Sequence, residues 1–244
     1  MNNRTQESVE SPGLFPLTQW SAILPSGKTG EASLAAVYET YREPLLLYLL
    51  CLRYKPEDAA DLVQGFFAEL LRYDSLASVS PKKGRFRTFL ISSLKHYLSD
   101  QRDRANAVKR GGGQPLLSVE ELMAKQGIDP ALVDRNGPDW IYDRAWANTV
   151  LRVALRRLEE EAAQAGRSAL FAALTPIMHQ DGDAASYKEV AARLGMTEGA
   201  VKVAAKRLRD RLHHLIRQQV RQTVADPQEL AAELRYLIEL LGQA

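Results

Sequence analysis

Ser186-Tyr187-Lys188-Glu189-Val190-Ala191-Ala192-Arg193-Leu194-Gly195-Met196-Thr197-Glu198-Gly199-Ala200-Val201-Lys202 holds two helical patterns separated by one glycine. Ser186-x-x-Glu189 has the form of a capping box, in which each side chain satisfies an orphan amide at a helix start. Gly195 can take the backbone that ends a helix, and Thr197 can cap the next. Val190, Ala191 and Leu194 give the first helix a small apolar face, and Val201, Ala204, Ala205, Leu208 and Leu212 give the second a longer one. The pattern predicts a helix-turn-helix. With that face buried, Glu198, Lys202, Lys206 and Arg209 fall on one exposed stripe that can enter a major groove. Thr197, Glu198, Gly199 and Lys202 are then placed for base edges, and Lys206, Arg207 and Arg209 for phosphates. A compact helical hairpin with a solvated face is the competing reading. Cap, turn, apolar spacing and charge together favour DNA.

Outward from this stretch, helical punctuation continues and alternating strand patterns are missing, so the expected fold class is all-α. After a polar segment with Pro12, Pro16 and Pro25, a helix is predicted over 33–43, where Pro44 interrupts it and opens another that ends before Pro56. Pro56-Glu57-Asp58 starts a helix to about Tyr73, with Leu62, Phe66, Phe67, Leu70 and Leu71 on its apolar face. Beyond a loop at 74–84, Phe86, Phe89, Leu90, Leu94, Tyr97 and Leu98 recur at helical spacing. Gly111-Gly112-Gly113 stops that helix. Pro115, Gly127, Pro130, Gly137 and Pro138 mark 111–138 as a linker, with a short helix from the capping box Ser118-x-x-Glu121. Further helices are predicted over 139–165, 168–179 and 186–194, and from Thr197 past Ile216. A last one starts at Asp226, Pro227 and Glu229, with Leu230, Leu234, Leu237 and Leu241 as its face.

Composition narrows the setting more than the function. The chain has 244 residues, 32 Lys plus Arg against 30 Asp plus Glu, and a formal net charge of +2. The one cysteine, Cys51, lies in the apolar run from Leu45 to Leu52, which rules out an internal disulfide and a cysteine-rich zinc site. That run is shorter than the roughly 18 to 20 residues of a membrane span. The N-terminal residues lack the apolar core of a signal peptide. The expectation is a cytoplasmic protein without membrane insertion.

The near-zero total hides a segregation. Lys82, Lys83, Arg85, Arg87, Lys95, Arg102, Arg104, Lys109 and Arg110 form one basic block, opposed only by Asp100 and Asp103. Lys202, Lys206, Arg207, Arg209, Arg211, Arg217 and Arg221 form a second. Two cationic blocks separated by a linker suggest two phosphate-contacting surfaces, although either could be a solvated helix face. In the first block, Thr88, Lys95 and Arg102 share the side opposite the apolar face. Phe86 and Tyr97 read as core at this spacing, with stacking on unpaired bases as the alternative.

At these residues the chain resembles a bacterial RNA polymerase sigma factor of the extracytoplasmic-function group, over roughly 18–225, in a subgroup with extra C-terminal residues. Asp58-Ala59-Ala60-Asp61-Leu62-Val63-Gln64-Gly65-Phe66-Phe67 is similar to the helix by which the family holds the polymerase clamp, with Asp61 and Gln64 matching and Gly65 standing where glutamate is common. Gly84-Arg85-Phe86-Arg87-Thr88-Phe89-Leu90 through Lys95-His96-Tyr97 to Arg104 looks like the promoter-melting helix, with Phe89 in place of a frequent tryptophan and His96 in place of asparagine. The loop before it would grip a flipped base of the minus-ten element. Lys109-Arg110-Gly111-Gly112-Gly113 and the stretch from Gly195 to Ala204 resemble the subgroup.

The resemblance implies two small helical domains joined by a linker, the second containing the helix-turn-helix. Their bounds would be a polar segment 1–30, a polymerase- and minus-ten-binding domain 31–110, a linker 111–138, a minus-thirty-five-binding domain 139–225 and a helical extension 226–244. It implies core RNA polymerase and promoter DNA as partners, with an anti-sigma factor as a further candidate, and no cofactor. Lys82, Lys83, Arg85, Arg87, Lys95, His96, Arg102 and Arg104 would meet promoter DNA, while Leu62, Phe66 and Phe67 stay in the core. His96, His179, His213 and His214 are too scattered for a metal motif, and no phosphate-binding loop or nucleophile elbow is present, so an enzyme is not expected. The leading reading is an initiation factor. A DNA-binding regulator acting without stable polymerase binding is the second, and a nucleic-acid-processing enzyme the third.

Overall fold

The structure is a computed structural model that describes residues 31–72, 85–105, 122–124, 128, 131–178, 184–224 and 226–242. The described chain is all-helical. Its elements are α1 (Glu31–Cys51), α2 (Pro56–Arg72), α3 (Phe86–Ala105), α4 (Ala131–Gln164), α5 (Ser168–Met178), α6 (Ala184–Leu194), α7 (Glu198–Arg221), a 3-10 turn (Pro227–Glu229) and α8 (Leu230–Gly242). The loop at 74–84, Lys82, Lys83, the glycine run at 111–113 and the capping box at Ser118 lie outside the described residues, as does the side chain of Arg104.

Most element ends fall where the caps place them; three do not. Pro44 sits inside α1 and ends nothing. An interior proline costs about 3 kcal/mol. The same helix buries Tyr41, Leu45, Leu46, Leu47, Leu49 and Leu50, and each such side chain contributes roughly 1.5 to 3 kcal/mol, so burial outweighs the break. Ser186 lies within α6, which begins at Ala184. In α4 the predicted start survives as a kink: Gly137 has φ 78 and ψ 170, and Pro138 opens the straight part of the helix.

Among the described residues the interior forms three apolar clusters. The first draws Tyr41 and Leu45 from α1, Phe66 from α2, Phe86 and Leu90 from α3, Ile141, Tyr142 and Trp146 from α4, and Leu230, Leu237 and Leu240 from α8. The second joins Ala154, Leu158 and Ala162 of α4 to Phe171 of α5 and Leu212 and Leu215 of α7. The third packs Leu174 of α5 with Tyr187, Val190, Ala191, Val201 and Ala205 of α6 and α7. Helix α4 therefore belongs to two interiors, and residues on both sides of the expected linker share the first. The C-terminal helix is part of that core.

Candidate nucleic-acid interface

The chain between α6 and α7 is short because each helix is closed locally. Gly195, at φ 62, ends α6, with Met196 N–H donating to Ala191 O at 2.9 Å. Thr197 is the N-cap of α7, its Oγ1 accepting from Ala200 N–H at 3.2 Å. Val190, Ala191, Val201 and Ala205 are buried between the two helices, while Lys202 and Lys206 are exposed on the opposite face of α7.

The stripe is partly tied to its own surroundings. Lys202 Nζ lies 2.6 Å from a Glu198 carboxylate oxygen one turn earlier and 5.8 Å from the centre of the Tyr187 ring. Pairing with Lys202 holds the Glu198 carboxyl below the usual range. Arg209 is half-buried and donates to Tyr187 Oη at 3.3 Å, so it braces α7 against α6. Tyr187 thus underlies the stripe, which helical spacing alone could not show because it lies on the other helix. Arg207 departs from the expected grouping. With Gly199, it lines a cleft of about 590 Å³ on the far side of α7, together with Leu158, Phe171 and Val203. On that side, Arg211 forms two hydrogen bonds with Glu161, at 2.8 and 2.7 Å, and draws the Glu161 carboxyl below its ordinary range.

The first basic block divides. Thr88, Lys95, His96 and Arg102 are exposed on one flank of α3, as the spacing predicted. Lys95 Nζ lies 2.8 Å from Asp139 Oδ1 and 5.7 Å from the Tyr48 ring centre, and its hydrogen bond to Asp139 raises its pKa. Arg102 donates to Tyr54 Oη from Nε at 3.3 Å and Nη2 at 3.1 Å. Arg85 is one-third exposed and its Nε lies 2.9 Å from Glu233 Oε2.

Arg87 corrects the sequence reading. Its guanidinium is buried, donates to Glu233 Oε1 at 2.7 Å, pairs with Asp143 and faces the rings of Trp146 and Tyr236. Burial opposes its charge, but hydrogen bonds and charge from Glu233 and Asp143 outweigh that and keep it protonated. Tyr236 Oη in turn donates to Asp143 at 2.7 Å, and burial pushes the Tyr236 hydroxyl up to about 12. Arg87 is therefore an anchor between α3, α4 and α8 and is not available to DNA.

On α2, Asp61 and Gln64 are exposed, while Phe66, Phe67 and Leu70 face inward and Leu62 is half-buried. Phe86 is buried, and the Tyr97 ring packs 5.8 Å from Phe66, so both serve the core. Among the described residues no group of His, Cys, Asp or Glu could hold a metal ion, and no helix is long and apolar enough to cross a membrane. What the two exposed faces offer is positive charge, hydroxyls and an imidazole, groups of the kind that bond phosphates and base edges. Comparison of the chain with family models, curated proteins and solved structures returns no match.

Proposed function

We propose that this chain is an initiation factor of the extracytoplasmic-function sigma group, which binds core RNA polymerase, directs it to particular promoters and helps open the duplex, the polymerase performing all covalent chemistry. The observation that carries the reading is the α6–α7 unit: a glycine turn, a threonine-capped second helix, and exposed Lys202 and Lys206 opposite the buried face. In this reading α6 and α7 are the helix-turn-helix of a second small domain, and Thr197, Glu198, Lys202 and Lys206 meet the minus-thirty-five element in the major groove. Helices α1 to α3 form the first domain. Lys95, His96 and Arg102 face the minus-ten region, and Asp61 and Gln64 on α2 hold the polymerase clamp. The protein works in the cytoplasm, and an anti-sigma factor is a candidate partner.

The test is promoter-specific run-off transcription with purified core polymerase. Transcripts that depend on this protein are expected, and Asp61→Ala with Gln64→Ala should weaken polymerase capture while leaving the fold intact. Duplex binding without polymerase recruitment would replace this reading with that of a regulator acting through α6 and α7 alone.

A further inference from the structure

Three helices of the described chain end in the same doubly hydrogen-bonded turn. At the end of α4, Arg167 N–H donates to Ala162 O at 2.8 Å and Gly166 N–H to Ala163 O at 3.0 Å. At the end of α6, Met196 donates to Ala191 and Gly195 to Ala192 in the same pattern, at 2.9 and 3.4 Å. The turn needs a left-handed residue, and glycine supplies it at φ 65 and φ 62. Helix α1 closes identically, with Tyr54 N–H on Leu49 O at 3.2 Å and Arg53 N–H on Leu50 O at 3.0 Å. Here the left-handed residue is Arg53, at φ 66, the one non-glycine residue with positive φ among the described residues.

A Cβ in that conformation crowds the following carbonyl, so an arginine there destabilises a turn that glycine would close without strain. Arg53 is exposed, and its burial does not offset that penalty. A backbone conformation of this kind in a non-glycine residue clusters at functional sites, which directs attention to what the exposed side chain meets.

The turn's surroundings suggest what that is. Tyr54 Oη receives both hydrogen bonds from Arg102, and two turns back on α1 the Tyr48 ring lies under Lys95. The end of α1 thus runs along the exposed flank of α3 from Lys95 to Arg102, with Arg53 and Lys55 exposed on either side of Tyr54. The acids along these segments are Asp100 and Asp103 on α3 and Glu57 and Asp58 at the start of α2, and Asp139 already holds Lys95. Cations in a row with tyrosines between them match a nucleic-acid strand, whose phosphates repeat along one edge, better than an acidic protein surface.

We infer that the turn from Leu52 to Lys55 extends the nucleic-acid surface of α3, and that Arg53 and Lys55 hold backbone phosphates of the strand lying along that helix. This rests on the proposed function insofar as α3 faces nucleic acid.

The test is fluorescence anisotropy of the full chain with a labelled single-stranded DNA of mixed sequence, across a salt series, alongside thermal unfolding. Arg53→Gly should reduce the slope of log affinity against log salt by about 0.7, which is about eightfold weaker binding at about 50 mM salt and vanishes towards molar salt. Its Tm should hold or rise by about 1 to 4 °C, because the strain is relieved. Lys55→Ala should give a similar slope change, and Arg53→Lys should keep the wild-type slope. An unchanged slope in Arg53→Gly, with a reduced slope in Lys95→Ala/Arg102→Ala, overturns the inference and leaves the α3 face standing. If Lys95→Ala/Arg102→Ala also binds like wild type, the α3 assignment itself falls. A lowered Tm in Arg53→Gly removes the premise of strain. Loss of core-polymerase capture with DNA binding intact would assign the turn to a protein partner.

Discussion

Gly65 shows how one position can look like a defect in sequence and be required in space. A glycine inside α2 forgoes about 1 kcal/mol of helix propensity relative to alanine. A Cβ built on it, however, would lie 2.5 Å from Tyr97 Oη and 3.6 Å from the ring carbon that carries it. Gly65→Ala should therefore destabilise the chain by roughly 1 to 3 kcal/mol in urea unfolding, against the propensity scale. With Tyr97→Phe the nearest remaining contact is ordinary, so the double variant should be less destabilised than the sum of the singles. Additive effects would show that the hydroxyl is not the obstacle. Glu233 is the other residue whose position carries information. It stands on the apolar face of α8 between Leu230 and Leu237, and a charge there signals a buried pair. The face expected from spacing, Leu230, Leu234, Leu237 and Leu241, passes over it. Its partner Arg87 lies 146 positions away, and helical period relates residues only within one element. Glu233→Ala should cost about 3 to 5 kcal/mol by leaving the Arg87 charge buried with Asp143 alone, and a loss below about 1 kcal/mol would mean that water reaches the site.

At the scale of elements, the signals that proved reliable were local ones. Thr197 and Gly195 set the boundaries of α6 and α7 because a cap or a left-handed turn acts within a few residues. Pro44 misled because its effect competes with burial within the apolar run from Leu45 to Leu52, and only packing against the rest of the core decides which wins. The exposed stripe of α7 was readable as Glu198, Lys202 and Lys206, but Arg209 was claimed by Tyr187 and Arg207 belongs to the opposite side. Lys206 is the member of the pair placed on phosphate and Lys202 the one on base edges, so alanine at both should lower the salt slope for duplex DNA by about 0.9, one phosphate contact, with the loss at Lys202 falling on base readout. Binding measured across a salt series checks this, and an unchanged slope takes the stripe out of the interface.

For the whole molecule the question is reach. The minus-ten and minus-thirty-five elements that the proposed function assigns to this chain are separated by about 25 base pairs, or about 85 Å at about 3.4 Å per pair. Helix α4 has 34 residues and spans at most about 51 Å. Lys95, on one candidate face, pairs with Asp139 near the start of α4, while Gly199 and Val203 of α7 line a cleft with Leu158 and Glu161 near its end. The two faces are therefore held closer together than the two elements are. Holding them there are the first core cluster, shared by α1, α4 and α8, and the buried Arg87 and Glu233 with the half-buried Asp143. Occupying both elements at once requires α1 to α3 to part from α4, which exposes Ile141, Tyr142 and Trp146 and separates paired charges. Water rehydrates the separated charges but does not repay the exposed apolar surface; a polymerase that covers the same surface can. Fluorophores at Ser99 on α3 and Lys188 on α6, both exposed, should report a single short distance in the free protein and a longer one when core polymerase is added. A distance that stays short in a transcribing complex would mean that the chain contacts one element at a time, and the assignment of both faces to one promoter would fall.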